Sequence, residues 1–144
     1  MSLKFLNPCL MKAVILFLFI LFFSSGIYGQ NLIGSDEAEI KKYMKENRIE
    51  FKLQNDKNNY FKYLKYVNNT NTETLIFFLS NKYICNGIRL ICDQNLKNQK
   101  LKELDLSYTK EGSNLWSEKK KNKNYVIELT DEEWFFSINI KLKE

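Results

Sequence analysis

The last apolar segment of the chain carries its clearest structural pattern. Large apolar residues occupy every second position, namely Trp134, Phe136, Ile138, Ile140 and Leu142. Successive side chains of a β-strand point to opposite faces of a sheet, so this alternation predicts a strand with one buried and one wetter face. A sheet with one buried face needs a second layer of structure to cover it.

Two helices are predicted that can form this layer. Ser35–Asn47 combines a capping residue, an acidic first turn and apolar residues at helical spacing, which predicts a first helix. A second helix is predicted between Asp93 and Glu111, ended by Gly112. Its apolar positions are Leu96, Leu101, Leu104 and Tyr108.

Apolar runs separated by polar turn residues predict the other strands. They are Tyr60–Val67, Thr74–Leu79, Tyr83–Cys92 and the two arms of a hairpin, Trp116–Lys119 and Asn124–Leu129, while Phe51–Leu53 is a short extended piece. This order of elements predicts an α+β fold, in which an antiparallel sheet of about four to five strands carries two helices on one face. No repeat of fixed period is visible in the sequence.

The start of the chain predicts export. A positively charged segment precedes the apolar run Ala13–Phe23, and small residues follow it, which is the order found in a secretory signal peptide. The run is shorter than the roughly 20 apolar residues that a membrane-spanning helix needs. We expect residues 1–29 to be the signal peptide, cleaved between Gly29 and Gln30. Cleavage after Gly26 and an uncleaved anchor are the alternatives.

Residues 30–144 have the length and composition of a single compact α+β domain. The chain is 44% hydrophobic and 15% aromatic, which is too apolar for a disordered protein. When Lys4 and Lys12 leave with the signal peptide, 20 basic and 17 acidic residues give a net charge of +3. So small an excess does not indicate a nucleic-acid partner. We expect the mature domain in the periplasm or outside the cell, without a transmembrane segment; its oligomeric state is left open.

The two cysteines that follow the signal peptide are not expected to form a disulfide. Cys85 and Cys92 are seven positions apart, so in one continuous strand they lie about 23 Å apart and point to opposite faces. A hairpin turn at Asn86-Gly87 would not bring them together either. We interpret both as small buried side chains.

Histidine is absent from the chain. This removes the commonest general base, the Ser-His and Cys-His nucleophile pairs and the most usual transition-metal ligand. We therefore expect no catalytic residue, no metal site and no cofactor. A carboxylate-based hydrolase is the alternative, if two carboxylates are held about 5–10 Å apart. The candidates are Asp131, Glu132 and Glu133 before the last strand, and Glu37, Glu39 and Glu103 on the helices.

Two groups of residues are candidates for binding. The first is the lysine-rich hairpin tip, which suits anionic lipid headgroups, lipopolysaccharide or a polyanion, or else is a solvated tip that discourages aggregation. The second group is aromatic. If the wetter face of the sheet carries all three aromatic residues, they would bind a peptide, a glycan or a protein. If a helix covers that face, they belong to the core. The tip residues are Lys119, Lys120, Lys121 and Lys123, and the aromatic ones are Tyr66, Tyr83 and Phe135.

Several segments carry a resemblance to known proteins. They are Ile33–Ser35 leading into a helix that ends at Tyr43–Lys45, then Tyr63–Val67, Thr74–Leu79 and Glu133–Phe136. Over nearly the whole mature region the chain resembles the small exported proteins of unknown function of Bacteroidota, a likeness that implies export and assigns no catalytic residue. The start of the helix and the later antiparallel sheet are also distantly similar to beta-lactamase-inhibitor-like envelope domains. Those domains bind proteins through a sheet face, so this likeness favours binding over catalysis.

The first functional hypothesis is therefore an exported binding domain that engages a protein or a cell-envelope component through a sheet face. A carboxylate-based hydrolase is the second hypothesis, and the absence of histidine counts against it. The third is a structural envelope component that contacts an anionic surface through the lysine-rich hairpin tip.

Overall fold

The computed structural model describes residues 32–54 and 61–143. The expected signal peptide, with its cleavage site between Gly29 and Gln30, lies outside these residues. The helices are α1 (Glu37–Asn47) and α2 (Lys97–Ser107), and a short 3₁₀ helix at Gln94–Leu96 leads into α2. The strands are β1 (Phe51–Gln54), β2 (Tyr63–Asn68), β3 (Glu73–Leu79), β4 (Cys85–Asp93), β5 (Thr109–Lys110), β6 (Leu115–Lys120), β7 (Lys123–Asp131) and β8 (Phe135–Leu142).

These strands form one antiparallel sheet of eight strands in the order β1-β2-β3-β4-β8-β7-β6-β5. The α+β class is confirmed, whereas the expected size of about four to five strands is wrong. The two edge strands, β1 with four residues and β5 with two, are too short to show an alternation in the sequence. The pairing of β4 with β8 also joins the hairpin half to the earlier strands, and no local pattern signals such a long-range pairing.

The sheet consists of two four-stranded meanders, each preceded by one helix. Helix α1 leads into β1–β4, α2 leads into β5–β8, and the last strands of the two meanders lie side by side. Leu90 opposes Ile138 midway along this central pair. The chain therefore has an internal structural repeat that its sequence does not show.

One face of the sheet carries the hydrophobic core. A row of buried side chains in register crosses six adjacent strands, namely Leu64, Phe77, Ile88, Ile140, Ile127 and Trp116. Ile40 and Met44 of α1 and Leu104 of α2 belong to the same core. Both helices therefore cover this face, which we call the helix face, and we call the opposite side of the sheet the open face.

A reciprocal cap fixes the start of α1. The Asp36 side chain accepts a hydrogen bond from the backbone N–H of Glu39 at 2.9 Å, and the Glu39 carboxylate accepts one from the N–H of Asp36 at 3.2 Å. This arrangement satisfies backbone donors that have no partner inside the helix. The helix therefore begins at Glu37, slightly later than the predicted start at Ser35.

The second helix is shorter than the sequence predicts. The backbone of Tyr108 is extended, and Thr109–Lys110 pairs with β6 as an edge strand. The helix therefore ends at Ser107 and not at Gly112.

Cys85 and Cys92 are free and buried in the core, as predicted. The expectation that they lie on opposite faces is wrong. Between Phe78 and Leu79 the register shifts, so that Leu79 opposes Cys85 and not Asn86. An extra residue of this kind reverses the alternation of side chains, which brings both thiols into the same core.

Candidate functional site

The open face is the side of the sheet that neither α1 nor α2 covers. Its side chains alternate along the strands with those of the core. Most of its apolar residues are half-buried between their neighbours, and Leu115 and Phe135 are exposed. Polar and charged side chains stand between them in the register; Ile76, for example, lies between Lys65 and Arg89. Such a mixture of apolar and polar groups is typical of protein interfaces. The apolar residues are Val67, Ile76, Phe78, Ile91, Leu115, Val126 and Phe135.

Basic residues outnumber acidic residues on the open face. The strands place five cationic side chains there, and the acidic side chains are those of Asp93 and Glu128. A partner that covers this face therefore meets a net positive charge around apolar side chains. The cationic residues are Lys52, Lys65, Arg89, Lys119 and Lys141.

Arg89 stands on the central strand β4 and is held by two neighbours. Its Nε donates a hydrogen bond to Oδ1 of Asn139 at 2.6 Å, across the β4–β8 pair. Its guanidinium carbon lies 5.6 Å from the centroid of the Phe78 ring. A guanidinium fixed in this way is suited to bind a carboxylate through two parallel hydrogen bonds.

The structure does not bring the three predicted aromatic residues together. Tyr66 is only 4% exposed and lies on the helix face, where its ring meets Phe77 edge to face at 6.0 Å between centroids. Burial raises the pKa of Tyr66, and the nearby charge of Glu37 adds to this effect. The alternation in β2 predicts two faces correctly, but it does not tell which of them the helices cover.

The other two aromatic residues are accessible but lie in different places. Phe135 is 41% exposed on the open face. Tyr83 is 49% exposed in the turn before β4, with a φ of 61°. The Lys62 ammonium lies 3.9 Å from the centroid of its ring. Phe135 is therefore the one predicted aromatic residue that belongs to the open face.

Trp134 is an exposed aromatic residue that the sequence pattern assigns to the wrong environment. The alternation in the last strand predicts burial for it, and this prediction is confirmed for Phe136, Ile138 and Ile140. Trp134 is 78% exposed because β8 begins one residue later, and Leu142 is exposed at the other end. Trp134 thus precedes Phe135 in the turn before β8.

Gln94 holds the turn that presents Trp134. Its side-chain amide donates hydrogen bonds to the backbone oxygens of Glu132 at 2.6 Å and of Phe135 at 3.0 Å. It also donates to the Asp131 carboxylate at 2.9 Å, and Lys97 pairs with the same carboxylate. Both bonds favour the ionised form and lower the pKa of Asp131. An exposed tryptophan on such a fixed turn suits a binding contact, since little conformational freedom remains to be lost.

The predicted hairpin with a lysine-rich tip is confirmed. Lys119 opposes Asn124 and Lys120 opposes Lys123. The two residues between them, Lys121 and Asn122, have φ angles of 47° and 61°, which is the backbone of a type I′ turn. Lys119 lies on the open face, whereas Lys120 and Lys123 lie on the helix face.

The structure gives most of the predicted acidic candidates a structural partner. Glu37 pairs with Lys41, Glu39 caps α1, and Glu103 lies next to Lys100. Asp131 binds Gln94 and Lys97, as described above, and Glu132 and Glu133 are exposed in the same turn. Within residues 32–54 and 61–143, no group of three or more His, Cys, Asp or Glu side chains is placed to hold a metal ion.

The chain matches no protein-family model, no curated protein and no solved structure. The open face is therefore interpreted from its own chemistry. In the part of the chain that the structure describes, no helix has the length and apolar character needed to cross a membrane.

Proposed function

We propose that this chain is an exported binding protein that engages an acidic protein surface through the open face of its sheet. The observation that carries the proposal is the combination, on one uncovered face, of apolar side chains with a net positive charge. Interfaces combine an apolar centre with polar groups around it, and charge complementarity selects the partner. An acidic protein with apolar residues at its centre fits both properties.

The size of the open face supports a protein partner. Eight strands spaced about 4.8 Å apart are about 34 Å wide, and the central strands offer about 20 Å along their length. The area of roughly 700 Å² is close to the ~800 Å² that each partner buries in a stable complex. Trp134 and Arg89 belong to the residue types that contribute most to binding energy in such complexes.

The test is site-specific photo-crosslinking of the full-length chain in its own host. Benzoylphenylalanine replaces Phe135 on the open face or, as a control, the exposed Leu106 on α2. We expect a discrete protein adduct from position 135 and none from position 106. Equal adducts from both positions would overturn the proposal.

A second pair of variants tests the role of charge in the same experiment. Arg89→Glu, introduced with the photo-crosslinker at position 135, is expected to lower the adduct yield at least fivefold. Lys102→Glu makes the same change of charge on the exposed surface of α2 and is expected to leave the yield unchanged. Thermal unfolding of both variants verifies that they fold. An adduct that is insensitive to Arg89→Glu would contradict an acidic partner.

A further inference from the structure

A small cavity lies where the hairpin tip meets the segment before α1. Its volume is about 260 Å³, and we call it the lysine pocket. The hairpin contributes three lysines and a tyrosine, and the segment before α1 contributes an isoleucine, a glycine and a serine. These residues are Ile33, Gly34, Ser35, Lys120, Lys121, Lys123 and Tyr125.

Backbone hydrogen bonds fix both walls of the lysine pocket. The N–H of Gly34 donates to the carbonyl of Cys85 at 2.8 Å, and the N–H of Cys85 donates to the carbonyl of Ser35 at 2.9 Å. These bonds attach the first wall to β4. The second wall is the type I′ turn of the hairpin, in which Lys120 and Lys123 are directly paired. A ligand therefore meets a largely preformed site.

Among residues 32–54 and 61–143, no ion pair compensates the charge of the lysine pocket. No carboxylate lines it, and neither Lys120, Lys121 nor Lys123 forms an ion pair with a residue that the structure describes. A β-carbon added at Gly34 would lie 3.8 Å from Nζ of Lys123, which places this ammonium at the opposite wall. The three positive charges repel one another, and an anion bound between them would relieve this repulsion.

Tyr125 provides a second and independent observation. It is only 6% exposed, yet no described residue forms a hydrogen bond with its hydroxyl. The hydroxyl is not fully enclosed by protein atoms, so it is accessible from the lysine pocket, which Tyr125 lines. A tyrosine hydroxyl can donate a hydrogen bond to a ligand bound in the pocket. The lysine pocket therefore offers an unused donor beside three ammonium groups.

We propose that the lysine pocket binds a phosphate group. A phosphate monoester carries close to two negative charges at neutral pH and three acceptor oxygens, which matches several ammonium donors and a hydroxyl. A cavity of 260 Å³ accommodates such a group with a short organic substituent. The phosphate comes either from a small metabolite or from a lipid headgroup. This site is separate from the open face and does not depend on the function proposed above.

Calorimetric titration of the full-length exported protein with inorganic phosphate and with glycerol 3-phosphate tests the proposal. We expect saturable binding of one anion per chain. The double variant Lys121→Ala/Lys123→Ala is expected to bind at least tenfold more weakly. The matched control Lys82→Ala/Lys102→Ala removes the same charge from exposed positions elsewhere and is expected to bind as the unmodified protein does. The absence of saturable binding, or equal weakening in the control, would overturn the proposal.

Tyr125→Phe separates a binding role from a structural role. Because the hydroxyl has no partner within the described residues, its removal is expected to leave the melting temperature unchanged and to weaken phosphate binding severalfold. Vesicles of phosphatidic acid, whose headgroup is a phosphate monoester, compared with phosphatidylcholine, then identify the source of the phosphate. Vesicle binding that glycerol 3-phosphate displaces indicates a lipid headgroup in the lysine pocket, and absence of vesicle binding indicates a small metabolite. Vesicle binding that the free anion does not displace would contradict the lysine pocket as the site.

Discussion

Lys100 on α2 and Glu73 at the start of β3 form an ion pair that links the helix of the second meander to a strand of the first. Nζ and Oε1 are 2.6 Å apart, and both side chains are largely buried. Oε2 of Glu103 lies 3.3 Å from the same ammonium and has no hydrogen-bond partner among the described residues. One buried cation therefore balances two carboxylates.

Replacement of Lys100 by methionine should strongly destabilise the fold. Lys100→Met keeps the aliphatic part of the side chain but leaves Glu73 and Glu103 without a counter-charge, which we expect to cost about 3 kcal/mol in the free energy of unfolding. Urea denaturation followed by tryptophan fluorescence measures this loss. Lys97→Met removes the partner of Asp131 at a more exposed position, where water replaces the lost interaction, and should cost much less. Equal losses of unfolding free energy in the two variants would contradict the conclusion that Lys100 balances two buried carboxylates.

The two buried thiols should make the fold less stable in mildly alkaline solution. Burial raises the pKa of Cys85 to about 11 and, together with the charge of Glu73, raises the pKa of Cys92 to about 12. In the unfolded chain the thiols ionise near pH 8.5, so unfolding releases protons above this pH and stability falls as the pH rises towards the folded pKa values. We expect a loss of about 1 to 2 kcal/mol per thiol by pH 10.

Urea denaturation between pH 7 and pH 10 measures this slope. Cys85→Ala/Cys92→Ala is expected to be less stable at pH 7 but to lose less stability towards pH 10. Lys100 changes the pH dependence of stability only at higher pH. Burial lowers its pKa, but the hydrogen bond and charge of Glu73 and the charge of Glu103 outweigh burial and raise the pKa. This stabilisation is therefore complete below the ordinary lysine pKa of about 10.4 and is lost as the pH rises from there through the raised pKa of the folded state. An identical slope in the cysteine-free variant would contradict the assignment to the thiols.

Trp134 and Phe136 are close in sequence but should respond very differently to truncation. Phe136 is fully buried in β8, so Phe136→Ala is expected to cost about 3–5 kcal/mol in the free energy of unfolding. Trp134→Ala removes an exposed side chain and is expected to change stability by less than about 0.5 kcal/mol. The same variant should reduce crosslinking of a partner from position 135, if Trp134 belongs to the binding surface. A large loss of stability in Trp134→Ala would contradict its exposed position.

The turn of the lysine-rich hairpin should allow a gain in stability at the expense of phosphate binding. Lys121 and Asn122 both have positive φ angles, and Asn-Gly is the favoured pair for this backbone. Lys121→Asn/Asn122→Gly is therefore expected to stabilise the fold by about 1 kcal/mol. Because it also removes one ammonium from the lysine pocket, it should weaken phosphate binding in the calorimetric titration. Lys121→Ala alone keeps a β-carbon at this positive φ and so does not relieve the turn, and it provides the comparison for charge.

Much of the fold could be predicted from periodicity. The alternation around Ile138 and the helical spacing before Asn47 depend only on neighbouring residues, and the structure contains both elements. Short strands such as β5 could not be predicted, because two residues carry no period and are stabilised by pairing with β6 alone. The eight-stranded sheet depends on the β4–β8 pairing, which is determined by tertiary packing.

The candidate sites depend even more on three-dimensional placement. The lysines at 120, 121 and 123 are evident in the sequence, but the opposite wall of the lysine pocket, with Gly34 and Ser35, is about 90 residues away along the chain. Tyr66 and Phe135 have similar local patterns, yet one lies under α1 and the other on the open face. Sequence periodicity identifies faces of an element, whereas only the packed structure shows which face is covered.

The central β4–β8 pair has a consequence for the order of folding. Within each meander, paired strands are neighbours along the chain, whereas the central pair joins residues separated by 42 positions (Asp93 with Phe135) to 54 positions (Gly87 with Lys141). Closing so long a loop costs entropy before any contact is gained, so the hairpins of each half should form first and the two halves should dock last. Docking then limits the folding rate, and the amide protons between β4 and β8 should exchange with solvent only when the whole domain unfolds.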